Sequence, residues 1–297
     1  MSRPSDFLTF TSRDSASTPS LTPSSSSHRS ALPPPRTSLL LTDTLASPAQ
    51  FAIAHYLQRL LRPLHGVVSN SAAGMKGKGK EGGRRVVLVG VGEKEEYWAA
   101  LLRKHSIQLP AESTAGRFSY IDATSPSTTL SSLYTSLSSL LRLRDVQDGV
   151  EEEWEGPLVI LDDVSALLWR GEGAREVVRW WKAVRGAVDA TNSSMITVLH
   201  ADSLSPSFPP TPSPSTPFEE PDDQYLFRQI VQQCDVWVEV AGLMTGGGTG
   251  GTRGEITLHR APSLLEQHFI VDSSPPLQYR LEDNGAQYEV KGLGRFL

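Results

Sequence analysis

The chain has 297 residues, a formal net charge of −5 and a single cysteine, Cys234. One thiol excludes a disulfide framework and a cysteine-built zinc site, and it fits a reducing compartment: the cytoplasm, with the nucleus as a second location. The acidic balance excludes a general polyanion binder, so any basic site is local. No apolar run approaches the ~20 residues that a membrane helix needs.

Residues 1–36 are mostly Ser, Thr and Pro with few large apolar side chains. Such a segment buries too little surface to offset its ordering entropy, and a disordered tail is expected there. Its prolines and the acids Asp6 and Asp14 speak against an amphipathic targeting helix. About 260 residues remain, enough for one large α/β domain over residues 37–297.

Strands and helices then alternate. Ser38 to Thr42 reads as a short buried strand, and Ser47-Pro48 offers an N-cap and a first-turn proline. Ala52, Ile53, Tyr56, Leu57, Leu60 and Leu61 follow at helical spacing. Residues 66–84 are a Gly/Lys/Ser insertion before the strand Arg85 to Gly90. Tyr97 to Leu102 marks a helix, Phe118 to Ile121 a strand, and Leu130 to Leu141 a clean helical stripe. After an acidic linker, Leu158-Val159-Ile160-Leu161 runs into Asp162 and Asp163. Ala174 to Val188 is an apolar helix face, Met195 to Leu199 a strand, and residues 203–222 a Pro/Ser-rich insertion. Tyr225 to Gln233 is helical. From Asp235 onward, short strands follow one another through turns. Parallel βαβ units with an antiparallel extension form a RecA-like, P-loop-NTPase-type layout. Its mostly parallel sheet carries helices on both faces.

That layout raises the question of nucleotide. Asp162 and Asp163 stand where the acidic strand of a P-loop nucleotidase holds Mg²⁺, and they are the candidate nucleotide contacts. The phosphate loop that should follow the first strand is missing: the turn from Thr42 to Pro48 has neither Gly nor Lys. It places Asp43 near a helix N-terminus, where like charges about 4 Å apart repel by roughly 1–4 kcal/mol. Gly74 to Lys80 fits G-x-x-x-x-G-K, but Glu81 replaces the required Ser or Thr, and the run precedes a strand instead of following one. Gly90-Val91-Gly92 opens a helix crowded by Glu93, Glu95 and Glu96, unfavourable to a pyrophosphate. Both Walker motifs are therefore degenerate. His200 and Asp202 end a neighbouring strand; His200 reads as a ligand sensor or as a plain strand-end histidine.

Two further groups are candidates for contact. Lys76, Lys78 and Lys80, with Arg84 and Arg85, can neutralise RNA phosphates without sequence preference. Trp180 lies on the flank of its helix stripe while Trp181 lies within it, which makes Trp180 a partner anchor or a core edge. No paired acid and base, no activated nucleophile and no metal-ligand cluster stands out.

Taken in order, several segments resemble the Elongator complex protein 6 family. They are Leu39 to Leu41 entering the Asp43 turn, and Leu158 to Asp163 continuing as Val164-Ser165-Ala166-Leu167-Leu168. Ser194 to His200, Val240 to Gly246, Gln278 to Asp283 and Val290-Lys291-Gly292 complete the set. The tail, the Lys/Gly insertion and the Pro/Ser insertion depart from the family pattern. The resemblance implies a non-catalytic subunit of the Elongator accessory ring. It implies a heterohexamer with Elongator subunits four and five, contact with the remaining subunits, and tRNA bound through the ring. It links the ring to modification of the wobble uridine at position 5 and implies no catalytic residue, no metal and no cofactor of its own, with ATP at ring interfaces left open. The competing reading is a divergent NTPase that hydrolyses nucleotide at ring interfaces with Asp162.

Overall fold

Side-chain alternation in the strands builds two separate cores on one sheet. The computed structural model describes residues 7–12, 29–61, 84–142, 156–202, 220–243, 253–260, 269–271, 276–282 and 285–291. Two short strands open it, β1 (Phe10–Ser12) and β2 (Arg29–Ser30). The α/β part comprises β3 (Ser38–Asp43), α1 (Gln50–Leu61), β4 (Val86–Gly90), α2 (Glu95–Arg103), α3 (Leu109–Thr114), β5 (Phe118–Asp122) and α4 (Leu130–Arg142). It continues through β6 (Leu158–Asp162), α5 (Ser165–Trp169), α6 (Ala174–Ala190), β7 (Ser194–His200), α7 (Asp222–Val231) and β8 (Val236–Gly242). The last strands are β9 (Arg253–Arg260), β10 (Phe269–Val271), β11 (Leu277–Glu282) and β12 (Gly285–Val290).

The main sheet runs β12-β11-β9-β8-β3-β7-β6-β4-β5. Strands β8, β3, β7, β6, β4 and β5 are parallel, and β9, β11 and β12 extend them antiparallel, as the alternation of elements predicts. Strand β3 is buried along its whole length because helices cover both faces. Leu39, Leu41, Val86, Leu88, Leu158, Ile160, Ile196 and Val198 pack with residues of α1, α2 and α3. The alternate residues Leu40, Val87, Val89, Val159, Leu161, Met195 and Leu199 pack with residues of α4 to α7. Two strand hydroxyls inside the sheet accept hydrogen bonds from indoles: Trp181 Nε1 donates to Thr197 Oγ1 and Trp237 Nε1 to Thr42 Oγ1, each at 2.9 Å. Among the described residues no helix is long and apolar enough to cross a membrane.

The structure corrects four sequence expectations. Residues 1–36 are not uniformly a detached tail. Phe7, Leu8 and Phe10 are buried in the core under α1, and β1 pairs with both β2 and β10. Three large apolar side chains in four positions outweigh the Ser/Pro-rich composition around them. Arg84 is not part of a basic RNA-binding loop. It is 9 % exposed, and its guanidinium donates to Gly156 O at 2.6 Å, Pro33 O at 2.7 Å and Ser194 Oγ at 2.6 Å. It ties the N-terminal segment to β6 and β7, so the 66–84 insertion ends one residue earlier than expected. The 203–222 insertion also closes early: Glu220 pairs with Arg228 at 2.5 Å and Asp222 already begins α7.

Trp180 is the fourth: of its two readings the core position holds and the partner anchor does not. It is 5 % exposed and lies in the core with Trp181. A single apolar stripe underestimates the buried face of α6, because that helix is wedged between α4 and α7 and touches α5 as well. Trp180→Ala is expected to cost about 3–5 kcal/mol of unfolding free energy in urea, as for other buried large-to-small changes. A cost below about 1 kcal/mol would return Trp180 to the surface.

Candidate functional site

Parallel strands end on one edge of a sheet, and this edge collects the acids. Asp43 closes β3 directly opposite His200, the last residue of β7. Asp162 closes β6 opposite Gly90 of β4. The Asp43 carboxylate is buried and carries two duties. Its Oδ1 pairs with His200 Nδ1, and its Oδ2 accepts the Ala49 N–H at 2.6 Å, just ahead of α1. Asp43, not Ser47, therefore caps this helix, which begins two residues after the Ser47-Pro48 pair.

His200 has no free nitrogen. Nε2 faces Asp163 Oδ2 at 3.3 Å, and the backbone N–H donates to Ser165 Oγ at 2.9 Å. The indole of Trp169 lies nearly parallel to the imidazole, with ring centroids 5.3 Å apart and planes tilted by 11°. Asp163 is reached through a left-handed turn with φ +55°, a region that Asp tolerates better than most residues. Burial opposes charge on His200, but its hydrogen bonds to Asp163 and Asp43 and their negative charges outweigh burial and lift it to about 10. It is an imidazolium at neutral pH, held between two carboxylates.

Asp162 sits in a different environment. Burial, reinforced by the adjacent charge of Asp163, pushes its carboxyl up to about 8. Burial also raises Asp43, against the pull of His200, and raises Glu93. Asp162 and Glu93 border a cleft of about 560 Å³ whose wall also includes Leu45, Asp163, Trp169, Arg170 and His200. Gly92 also borders it; a Cβ there would stand 3.0 Å from the Asp163 Cβ, so glycine permits this close approach. Arg170 contributes a cation, but its guanidinium is committed to Ala123 O and, at 2.7 Å, to Thr128 O.

The chemistry follows from this set. A phosphate cradle needs free N–H groups and a cation at the start of α1. Here the Ala49 N–H already serves Asp43, and the cation nearest to Asp43 is the doubly engaged His200. A triphosphate at this turn would meet a buried carboxylate instead of a lysine, so these residues do not fit that group. Nor is His200 a general base, since both ring nitrogens are occupied. Tyr120 donates from its hydroxyl to Glu93 O at 2.7 Å, and a Cβ on Gly90 would collide with that hydroxyl. Gly90 thus serves packing, not a pyrophosphate.

Of the residues singled out in the sequence, Asp162, Asp163, Asp43 and His200 come together here. Arg85 is half-buried at the start of β4, at the opposite end of the strand, where Arg84 also lies. Lys76, Lys78 and Lys80 fall outside the described residues. Sequence reading missed Trp169, Glu93 and Arg170 as site residues. Trp169 looks like one more apolar residue after Leu167 and Leu168; only its 59 % exposure separates it from them.

The family model described as Elongation complex protein 6 matches residues 29–283, most of the chain. No curated protein matches in sequence. Among solved structures, a KaiC-like protein from the hyperthermophilic archaeon Pyrococcus horikoshii OT3 superposes with a TM-score of 0.54 at 10% identity. The match covers 86% of this chain and 90% of that one, and it supports the RecA-like fold alone.

The raised carboxyl of Asp162 makes a signed prediction. Its folded value of about 8 lies above the ordinary 3.8. The fold therefore carries no penalty from it below 3.8, a growing one between 3.8 and 8, and the full one above 8. Asp162→Asn removes that penalty. Its stability gain over the unsubstituted chain should be absent near pH 4, grow with pH and level off above about 8 in urea unfolding. A gain that shrinks with rising pH would contradict the assignment. His200 adds to the alkaline trend: its contribution is full below 6.5 and lost as pH rises through about 10.

Proposed function

The chain belongs to the Elongation complex protein 6 family, and from that membership we propose that it is a non-catalytic subunit of the Elongator accessory ring. In this reading it assembles with Elongator subunits four and five into a heterohexamer. It helps the ring hold tRNA while the wobble uridine is modified at position 5 by another subunit. The single observation that carries the reading is Asp43. It fills the cradle at the start of α1 with the chain's own carboxylate and neutralises it with His200. That arrangement supports a fold retained for assembly and does not favour hydrolysis.

The test is the purified complex. Native mass should place this chain in a ring with two related subunits, and a lone monomer would sink the proposal. Millimolar Mg-ATP should leave the melting temperature of the isolated chain unchanged. Any nucleotide turnover by the ring should survive Asp162→Asn at concentrations where the ring stays assembled. Loss of turnover with that change alone would instead favour a divergent NTPase.

Lys76, Lys78 and Lys80 remain the basic cluster proposed for RNA. Changing all three to Ala should flatten the slope of log affinity for tRNA against log salt by roughly 2, given about 0.7–0.9 per phosphate neutralised. An unchanged slope would remove these lysines from the RNA surface.

A further inference from the structure

The strand-end cleft presents acceptors with nothing to accept. Three carboxyls line it, from Glu93, Asp162 and Asp163, against two cations, His200 and Arg170, with Asp43 buried behind His200. Asp43 and His200 neutralise each other, and Arg170 gives its two terminal nitrogens to carbonyls while its Nε stays unpaired and reaches neither Asp162 nor Asp163. Asp162 Oδ2 and Asp163 Oδ1 are then left without a hydrogen-bond partner, although Asp162 is only 1 % exposed. A buried acceptor without a donor costs stability, and its presence calls for a reason.

In the isolated chain Asp162 is mostly protonated near neutral pH, and a cation that enters the cleft would favour its carboxylate and take the place of that proton. A phosphate would be repelled by the carboxyls. A metal ion is disfavoured because no group of three or more His, Cys, Asp or Glu among the described residues could hold one. The rim supplies the second half of the argument. Trp169 and Leu45, the latter 70 % exposed, are large apolar side chains left open to solvent at the mouth of this same cleft. An acidic floor with an aromatic and an aliphatic rim matches a planar cation on an apolar stem. The rim also distinguishes the sources of such a cation. A free polyamine leaves Trp169 and Leu45 uncovered, whereas a protein surface covers them, and Trp and Arg are the side chains most often dominant at protein interfaces.

We propose that the cleft at the ends of β3, β4, β6 and β7 receives the guanidinium of an arginine presented by a neighbouring protein subunit, an inference that rests on the assembly proposed above. The arginine donates to Asp162 and Asp163, and its stem lies against Trp169. The degenerate nucleotide site then works as a receptor that locks one neighbour in register.

Two arms test this. In the purified complex, p-benzoylphenylalanine replacing Leu45 should photocross-link to a segment of another subunit that contains arginine. Asp162→Asn should weaken association by about 10–100-fold, the range for a hydrogen bond to a charged group, while the isolated chain melts no lower than before. Changing the cross-linked arginine to Gln should cause a similar loss, and the two losses should not add. A cross-link to RNA or to a segment lacking arginine, or unchanged association of Asp162→Asn, would overturn the inference and leave the assembly standing.

The second arm needs no complex. The isolated chain is titrated with Nα-acetyl-arginine methylamide and with its neutral citrulline counterpart, following the Trp169 indole resonance. A shift with the arginine compound alone supports the receptor even if native mass finds no ring. Equal shifts, or none, reject it.

Discussion

A carboxylate buried at the end of the central strand has to be matched by donors, and Asp43 is matched on both oxygens. One side takes the first amide ahead of α1, and the other takes the imidazole at the end of β7. The strand register makes this possible, because β3 and β7 are parallel neighbours and place Asp43 and His200 side by side. Once His200 is fixed, its other nitrogen reaches Asp163, its backbone N–H holds Ser165, and its ring face supports Trp169. The start of α1, the β6–α5 turn and the end of α5 are thus anchored through one imidazolium. Removing either partner would leave a buried charge unmatched, which is far costlier than never having had the pair.

The same interaction accounts for the difference between this edge and a nucleotide site on a similar sheet. A phosphate loop leaves helix amides open so that a ligand can use them. Here the ligand's role is taken by the side chain of Asp43, the last residue of the strand itself, so the cradle is closed from within. The acidic strand remains, and Asp162 keeps its place beside Gly90. With no cation opposite it, the carboxyl is dominated by burial and by Asp163, which is why it is pushed up to about 8. Asp43, two strands away in the sheet order, adds only a minor further push.

Much of this fold is legible from sequence because the signals are periodic. Runs such as Val86 to Val89 and Leu158 to Leu161 announce strands covered on both faces, and Leu133, Leu137 and Leu141 announce the buried side of α4. The short elements α3, α5 and β10 carry too few residues to show a period. Trp180 was misleading because periodicity reports one packing direction and α6 is packed from several. Arg84 was misleading because it borders a lysine-rich run, while its actual partners lie at Pro33, Gly156 and Ser194, far away in the chain. The site was half legible. Each of Asp43, Asp162, Asp163 and His200 stands at a strand end, so their shared edge could be read. Their pairing depends on strand order, which local pattern does not encode.

The two halves of the site then make sense together. Asp43 and His200 form a closed pair, with nothing left to offer a ligand. Asp162 and Asp163 keep open acceptors at the floor of a cleft rimmed by exposed Trp169 and Leu45. Closing the first half excludes phosphate, and the carboxyls of the second half favour a cation. An edge that does not suit a triphosphate suits, by the same charges, a basic side chain. The pairing that closes the cradle to phosphate therefore leaves Asp162 and Asp163 as the acids that face the cleft.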